Sequence, residues 1–242
     1  MTTSRNVVCA IHQPNFFPWL GYFNKIQRAD VFVFLDDVAF NKSGSGMGCW
    51  TNRVAIRVQG KAAWFGCPVR RETGTQLIHT VRIDDRQPWR RKLLRTLEMN
   101  YHRAPGFAPT MALIEPLLLF ASDNLADFNI NAIRSISNHM GARCRFHRQS
   151  ETDVQGKSTE LLAALVVAVG ANAYLAGGGA DEYQEDDVFD RHDIELIHQR
   201  FEPHPYGDLA RFLPGLSVID YLMQGHGAAE GLDPAEATGS TP

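Results

Sequence analysis

Apolar and polar residues along the first 35 positions follow a pattern that predicts a strand, a helix and a second strand. Residues 7–11 form a short apolar run, apolar residues recur at helical spacing over 20–26, and residues 31–35 form a second apolar run. The usual right-handed crossover makes two such strands parallel. Segment 12–18 is therefore the turn after the carboxyl end of the first strand, where open α/β sheets bind ligands.

The rest of the chain alternates between strand-like and helix-like segments. A hairpin is predicted at 53–58 and 62–69, with a third strand at 78–83. Further helices are predicted at 88–101, 109–120, 125–140, 158–169 and 216–223, and short strands at 144–147, 173–176 and 194–197. The prediction is an α/β fold with a mixed, partly parallel sheet and a helical C-terminal half. We expect one domain over 1–225 and a disordered tail over 226–242.

Composition and charge narrow the classes of protein. The chain has 242 residues, a formal net charge of -3 and 21% charged residues, so a small or nucleotide-linked ligand fits it better than a nucleic acid. The cysteines lack metal-site spacing and the N-terminus lacks a signal peptide, so reduced thiols and a cytoplasmic location are expected. No membrane span and no metal motif are found, and the oligomeric state is left open.

The turn at 12–18 carries the first candidate site residues. His12 and Gln13 are polar groups at a strand's carboxyl end and are suited to hydrogen-bond a phosphate or carboxyl group, with His12 as a candidate general base. Pro14 and Pro18 restrict the turn, which lowers the entropy cost of presenting those groups. The alternative is that His12 only caps the strand and the aromatic residues of the turn belong to the core.

Asp36 and Asp37 stand at the carboxyl end of the second strand. A carboxylate there is a candidate general base or a ligand for a sugar hydroxyl, and neighbouring strand residues point to opposite faces, so only one is expected in the site. Lys42, Asn52 and Arg53 follow as candidates to bind an anionic ligand. The alternatives are turn-forming aspartates and ordinary surface charges.

Two later segments offer further groups for an anion. Lys157 precedes a predicted helix, and a helix N-terminus together with an ammonium group favours phosphate. Simple capping of that helix by Ser158 or Thr159 is the alternative. Gly177 and Gly178 belong to a three-glycine run that lets backbone approach a ligand, but no Gly-Lys-Ser/Thr follows, so the run is not a Walker loop.

Taken in order, these motifs resemble the WbqC-like family. The likeness rests on His12-Gln13-Pro14 through Leu20-Gly21-Tyr22, on Ala29-Asp30-Val31-Phe32-Val33, on Asp36-Asp37-Val38-x-Phe40, on Asn52-Arg53, on Lys157, on Tyr174-Leu175-Ala176-Gly177 and on Leu216-Ser217-Val218-Ile219-Asp220. It spans about residues 7–225 and implies that Asn15, Tyr22 and Asp220 also belong to the binding site. The family takes its name from bacterial surface-polysaccharide gene clusters and also occurs beside natural-product biosynthesis genes, so the resemblance implies a biosynthetic role.

The opening unit is also similar to the first strand-helix-strand unit of the HIGH-type nucleotidyltransferases. In that fold the nucleotide rests on the first turn and helix. Here Gly21-Tyr22 stand where those proteins carry Gly-His, and tyrosine cannot replace imidazolium beside a phosphate at neutral pH. This difference argues against adenylate transfer.

The sequence and the resemblance together favour an enzyme that transfers an acyl or aminoacyl group to the amine of a small or nucleotide-linked amino-sugar substrate. His12, Asp36 or Asp37 would deprotonate the amine, while Arg53, Lys157 and the glycine run would hold the anionic part. Two alternatives stay open, an ATP-dependent amide ligase on the HIGH-type scaffold and a non-catalytic binding protein in a biosynthetic complex. The cofactor is accordingly ATP or none.

Overall fold

The computed structural model describes residues 5–41, 50–177 and 186–227. In these ranges the strands are β1 (Val8–His12), β2 (Val31–Phe34), β3 (Arg53–Val58), β4 (Lys61–Gly66), β5 (Arg145–Arg148), β6 (Ala173–Ala176) and β7 (Glu195–His198). The helices are α1 (Leu20–Arg28), α2 (Trp89–Tyr101), α3 (Phe107–Leu118), α4 (Leu125–His139), α5 (Ser158–Ala168), α6 (Asp186–Arg191) and α7 (Val218–Met223).

Five of these strands form one sheet in the order β5-β2-β1-β6-β7. Every neighbouring pair is parallel, which confirms the parallel pairing predicted for the opening unit. The sheet is more uniform than the mixed one predicted, because antiparallel pairing of named strands is confined to the separate β3–β4 hairpin. The chain adds β2 and β5 on one side of β1, then β6 and β7 on the other, which is the doubly wound arrangement.

Helices cover both faces of the sheet, as parallel sheets require. Ala10 and Phe32 share a hydrophobic core with residues of α1 and α4, while Cys9 and Val33 share a second core with residues of α5 and α6. Alternate residues of β1 and β2 thus enter different cores. Cys9 is fully buried, and burial raises the pKa of its thiol to about 12.

Three expectations about local structure are wrong. Segment 78–83 is not a strand, because Ile78–Thr80 forms a 3-10 turn and Ile83 makes only an isolated bridge with Val69. Its apolar residues are buried in the core, so their spacing reflects burial of a connecting segment. The C-terminal half is not mainly helical, since three of the five sheet strands lie there, and α6 was not predicted at all.

Helices α4 and α5 begin differently. The Asn124 side chain accepts a hydrogen bond from the Asp127 backbone at 3.0 Å and caps α4. The N-cap residue of α5 is Lys157, without a side-chain capping bond, so the predicted capping by Ser158 or Thr159 is wrong. The proposed tail starts at 226, and all but its first two residues lie outside the described residues.

Candidate functional site

A crevice opens at the carboxyl end of β1 because its two neighbouring strands separate there. Pairing of β1 with β2 continues to His12↔Phe34, whereas pairing with β6 ends at Ala10↔Leu175. This is the point where the strand order changes direction, and it is the preferred ligand site of such sheets. A cavity of about 320 Å³ lies here, which we call the switch-point cavity. It is lined by Ile11, His12, Gln13, Lys25, Leu35, Leu162, Tyr174 and Gly177.

Lys25 of α1 is the main cation of the switch-point cavity and was missed by the sequence analysis. Its residue surface is only 3% exposed, and its Nζ donates a hydrogen bond to the Ile11 carbonyl at 3.0 Å. Nζ also lies 5.8 Å from the centre of the Tyr174 ring. Within the described ranges the hydrogen bonds and ion pairs give Lys25 no carboxylate partner. Burial lowers the pKa of this ammonium group from 10.5 to about 8, and nearby Cys9 partly opposes that effect.

His12 enters the same cavity as a neutral imidazole. Its Nδ1 lies 3.1 Å from the Gln13 carbonyl oxygen, and because a carbonyl only accepts, Nδ1 carries the proton and Nε2 keeps its lone pair. Burial is the largest cause that lowers the His12 pKa to about 4, and the nearby Lys25 charge lowers it further. At neutral pH His12 is therefore a hydrogen-bond acceptor and a potential proton acceptor.

The turn that carries His12 and Gln13 is fixed by bonds from distant parts of the chain. Asn129 of α4 donates to the Pro14 carbonyl at 2.8 Å, and the Ser217 hydroxyl donates to the Phe17 carbonyl at 2.7 Å. Phe17 itself has a left-handed backbone with φ of 42°, a conformation that persists only when its surroundings hold it. The site residues are thus placed by a rigid framework.

Tyr22 and Asn15 support this turn from below. The Tyr22 hydroxyl donates to the Gln13 carbonyl at 3.0 Å, and its ring packs 4.8 Å from the His12 ring. Both Tyr22 and Asn15 are buried and neither lines the cavity. Because the tyrosine hydroxyl is committed to a carbonyl, the residue that stands at the Gly-His position of the HIGH-type unit does not offer that donor to a phosphate. The likeness to that unit is not confirmed.

Asp36 and Asp37 point to different partners, as adjacent residues were expected to do. Asp36 is fully buried and accepts bonds from Arg148 Nε at 2.8 Å and from the backbone and hydroxyl of Ser150 at 2.9 and 2.7 Å. Asp37 lies 2.9 Å from His79 Nε2 at a partly exposed position. Neither carboxylate lines the switch-point cavity. The geometry gives Asp36 a structural role and leaves the catalytic role of Asp37 a prediction.

Asn52 and Arg53 lie at the start of the β3–β4 hairpin and do not line the switch-point cavity. The Asn52 amide donates to the Cys67 carbonyl at 3.0 Å and closes the end of the hairpin. The Arg53 guanidinium lies 4.7 Å from the centre of the Trp64 ring. Their predicted binding roles are not supported by proximity to His12.

The remaining candidates are spread over the molecule. Asp220 of α7 is fully buried and accepts bonds from the Tyr101 hydroxyl at 2.7 Å and from Arg57 Nε at 3.3 Å, so it joins α7 to α2 and β3. Lys157 is exposed at the start of α5, the helix whose Leu162 lines the cavity. Lys42 and Gly178 lie outside the described residues. Of the predicted site residues, the structure brings His12, Gln13 and Gly177 together at the cavity.

The doubly wound sheet, with a cavity at its switch point, defines an α/β protein. Comparison with known proteins identifies the family: the chain belongs to the WbqC-like protein family, whose model matches residues 13–230. The chain is 30% identical over 220 residues to the uncharacterized protein Rv1507c of Mycobacterium tuberculosis, covering 88% of this chain and 92% of that protein. No solved structure matches the chain.

Within residues 5–41, 50–177 and 186–227, no helix is long and apolar enough to cross a membrane. The same ranges contain no group of three or more His, Cys, Asp or Glu side chains that is arranged to hold a metal ion. Family membership suggests a biosynthetic role.

Proposed function

We propose that this chain is a biosynthetic enzyme that transfers an acyl or aminoacyl group to the amine of a small or nucleotide-linked substrate in the switch-point cavity. The observation that carries this proposal is the pairing of a buried ammonium, Lys25, with a neutral imidazole, His12, in one cavity. A cation and a proton acceptor are the two groups that acyl transfer to an amine requires. Membership of the WbqC-like family supports the biosynthetic part.

In this mechanism the amine nitrogen attacks the acyl carbon, and the carbonyl oxygen takes the negative charge. Lys25 uses one of its three protons on the Ile11 carbonyl, which leaves two donors for that oxygen. His12 Nε2 accepts the proton that the amine nitrogen loses. The bond between the acyl carbon and the leaving group then breaks, and the leaving group receives this proton. Atoms and charges balance without a cofactor.

The low pKa of His12 fits this sequence of steps. Burial is its first cause and the Lys25 charge the second, so negative charge on the bound substrate offsets the second and raises the His12 pKa. His12 therefore becomes a stronger base when an anionic substrate is bound, while burial, the larger cause, continues to lower its pKa. Once the amine nitrogen has bonded to the acyl carbon it is an ammonium, and it then loses its proton far more readily than a free alkylammonium does. A weak base therefore suffices for that transfer.

A ligand screen followed by turnover assays tests the proposal. Thermal-shift measurements with acyl donors, nucleotide sugars and ATP should reveal a ligand that stabilises the protein by roughly 2 to 4 kcal/mol when it is well above its Kd. With that ligand and an amine acceptor, His12→Ala should lower turnover by about 100-fold or more. Lys25→Met should abolish the thermal shift.

Matched controls keep the interpretation clear. Lys92 and His102 are exposed residues of α2 and its C-terminus, so Lys92→Met and His102→Ala should leave both binding and turnover unchanged. Full turnover by a folded His12→Ala protein would refute the catalytic assignment. Binding without turnover would favour the non-catalytic alternative, and amide formation that consumes ATP would favour the ligase.

A further inference from the structure

A second cavity of about 350 Å³ lies beside the switch-point cavity, and nothing in the proposed mechanism uses it. It is formed by Asn24 and Arg28 of α1 and by the segment 199–205 that follows β7. Its charged lining comprises two arginines, Arg28 and Arg200, and one carboxylate, Glu202, so it is positive overall. We call it the arginine cavity.

The two cavities approach each other at Gly177 and Gln199. Gly177 lines the first cavity and Gln199 the second. A Cβ atom at position 177 would lie 3.6 Å from Lys25 Nζ and 3.7 Å from Gln199 Oε1. The space between the cation of one cavity and the wall of the other is therefore kept open by the missing side chain of this glycine.

Gln199 is itself held firmly in this position. Its Nε2 donates to the Gly21 carbonyl at 2.6 Å and to Asn24 Oδ1 at 2.9 Å, and its carbonyl accepts from Arg28 at 2.7 Å. Lys25 and Arg28 are three residues apart on α1, so their side chains leave the same side of the helix. One helix thus supplies a cation to each cavity.

We infer that the two cavities form one elongated site, in which the arginine cavity holds the diphosphate and nucleoside of a nucleotide-linked substrate. Its reacting end then lies beside His12 and Lys25. The assignment of the reacting end rests on the proposed function, whereas the binding of the nucleoside diphosphate does not.

The chemistry of the arginine cavity favours a nucleoside diphosphate over a simple anion. One guanidinium nitrogen of Arg28 donates a hydrogen bond to the Gln199 carbonyl. The remaining N–H donors of the guanidinium group suit the paired oxygens of a phosphate. Phe201, Pro203 and Pro205 add an apolar wall suited to a sugar or base. Phe201 is steadied by Trp19, with ring centres 5.7 Å apart.

Calorimetric titration of the whole chain with UDP, ADP and pyrophosphate tests this inference without any turnover. A nucleoside diphosphate should bind more tightly than pyrophosphate. Arg28→Gln and Arg200→Gln should each weaken its binding by about tenfold or more, because each removes a charge-assisted bond. Arg95→Gln, at an exposed site on α2, should have no effect.

Position 177 tests whether the cavities are continuous. The Cβ atom that Gly177→Ala adds makes only ordinary van der Waals contacts. The melting temperature and the affinity for UDP should therefore not change. Affinity for UDP-glucosamine, which extends past the diphosphate, should fall. Equal UDP-glucosamine affinity for the wild type and Gly177→Ala would overturn the elongated site.

Equal nucleotide affinity for the wild type and both arginine variants, or no nucleotide binding at all, would overturn the assignment of the arginine cavity. Nucleotide binding that depends on the arginines, without acyl transfer, would refute only the proposed reaction.

Discussion

Replacing Lys25 with Met should remove a cost of folding that depends on pH. The folded protein holds the Lys25 pKa at about 8 against 10.5 for an exposed lysine, because burial disfavours the charge. Between these values the unfolded chain binds the proton and the folded chain does not, so wild-type stability rises with pH across that window. At about 1.4 kcal/mol per pH unit, the free energy of unfolding of the wild type rises by about 3 kcal/mol in total across the window. Below pH 8 the buried charge of Lys25 lowers the free energy of unfolding by this full amount, and above pH 10.5 it no longer does so.

Urea unfolding of the two proteins, followed by tryptophan fluorescence from pH 7.5 to 10.5, measures this difference. The stability of the wild type relative to Lys25→Met should increase by about 3 kcal/mol over the series. The Ile11 carbonyl loses its donor in the variant, which adds an offset of about 1 to 3 kcal/mol that does not change with pH. Lys92→Met, at an exposed position, should show no such trend. A flat difference for Lys25→Met would refute the burial argument.

Four further substitutions test the framework around the site. Because the His12 pKa falls from 6.5 to about 4, mainly through burial, the wild type should lose up to about 3 kcal/mol between pH 7 and pH 4. His12→Asn should lack that loss in acid unfolding titrations, and an identical acid profile would contradict it. Asp36→Ala should cost about 2 to 3 kcal/mol in urea unfolding, since the backbone and hydroxyl of Ser150 lose their acceptor and Arg148 keeps only its bond to the more exposed Asp127. Asp37→Ala should cost about 1 kcal/mol or less, and equal costs would argue against the assigned burial. Ser217→Ala removes the cap of α7 and a bond to the turn, and should lower the melting temperature by the equivalent of about 1 to 2 kcal/mol; no change would refute that role.

The opening unit of the fold could be predicted because its signals are local. A short apolar run, a helical repeat and a second apolar run are enough to specify parallel strands with a ligand site after the first. His12 and Gln13 follow from that position alone. The structure confirms the strands and places both residues at the switch-point cavity.

Lys25 could have been found from the same pattern. It lies one residue before Ile26 and three after Tyr22, both of which are buried, so the buried face of α1 contains a lysine. A charge on an apolar face is a departure from amphipathic spacing, and such departures mark functional positions. Apart from Tyr22 and Asp220, which the family resemblance implies, the predicted site residues come from turns, loops and the ends of strands and helices, and Lys25 lies in none of these.

Asp36 and Asp220 show what a sequence cannot decide. Both are bound by arginines more than 100 positions away, Arg148 and Arg57. A carboxylate that is held in a buried ion pair and a carboxylate that faces a substrate have the same local sequence. Their roles depend on tertiary contacts, and only the structure supplies those.

The early end of the β1–β6 pairing makes the crevice independent of any single side chain. The crevice arises from the course of the main chain, since the ladder stops at Ala10↔Leu175 while the other side of β1 continues to His12. Replacing a lining side chain such as Leu35 or Leu162 changes the shape and polarity of the cavity without closing it. Side-chain changes of this kind therefore leave the opening in place, so the position of the cavity follows from the course of the main chain and its chemistry from the lining residues.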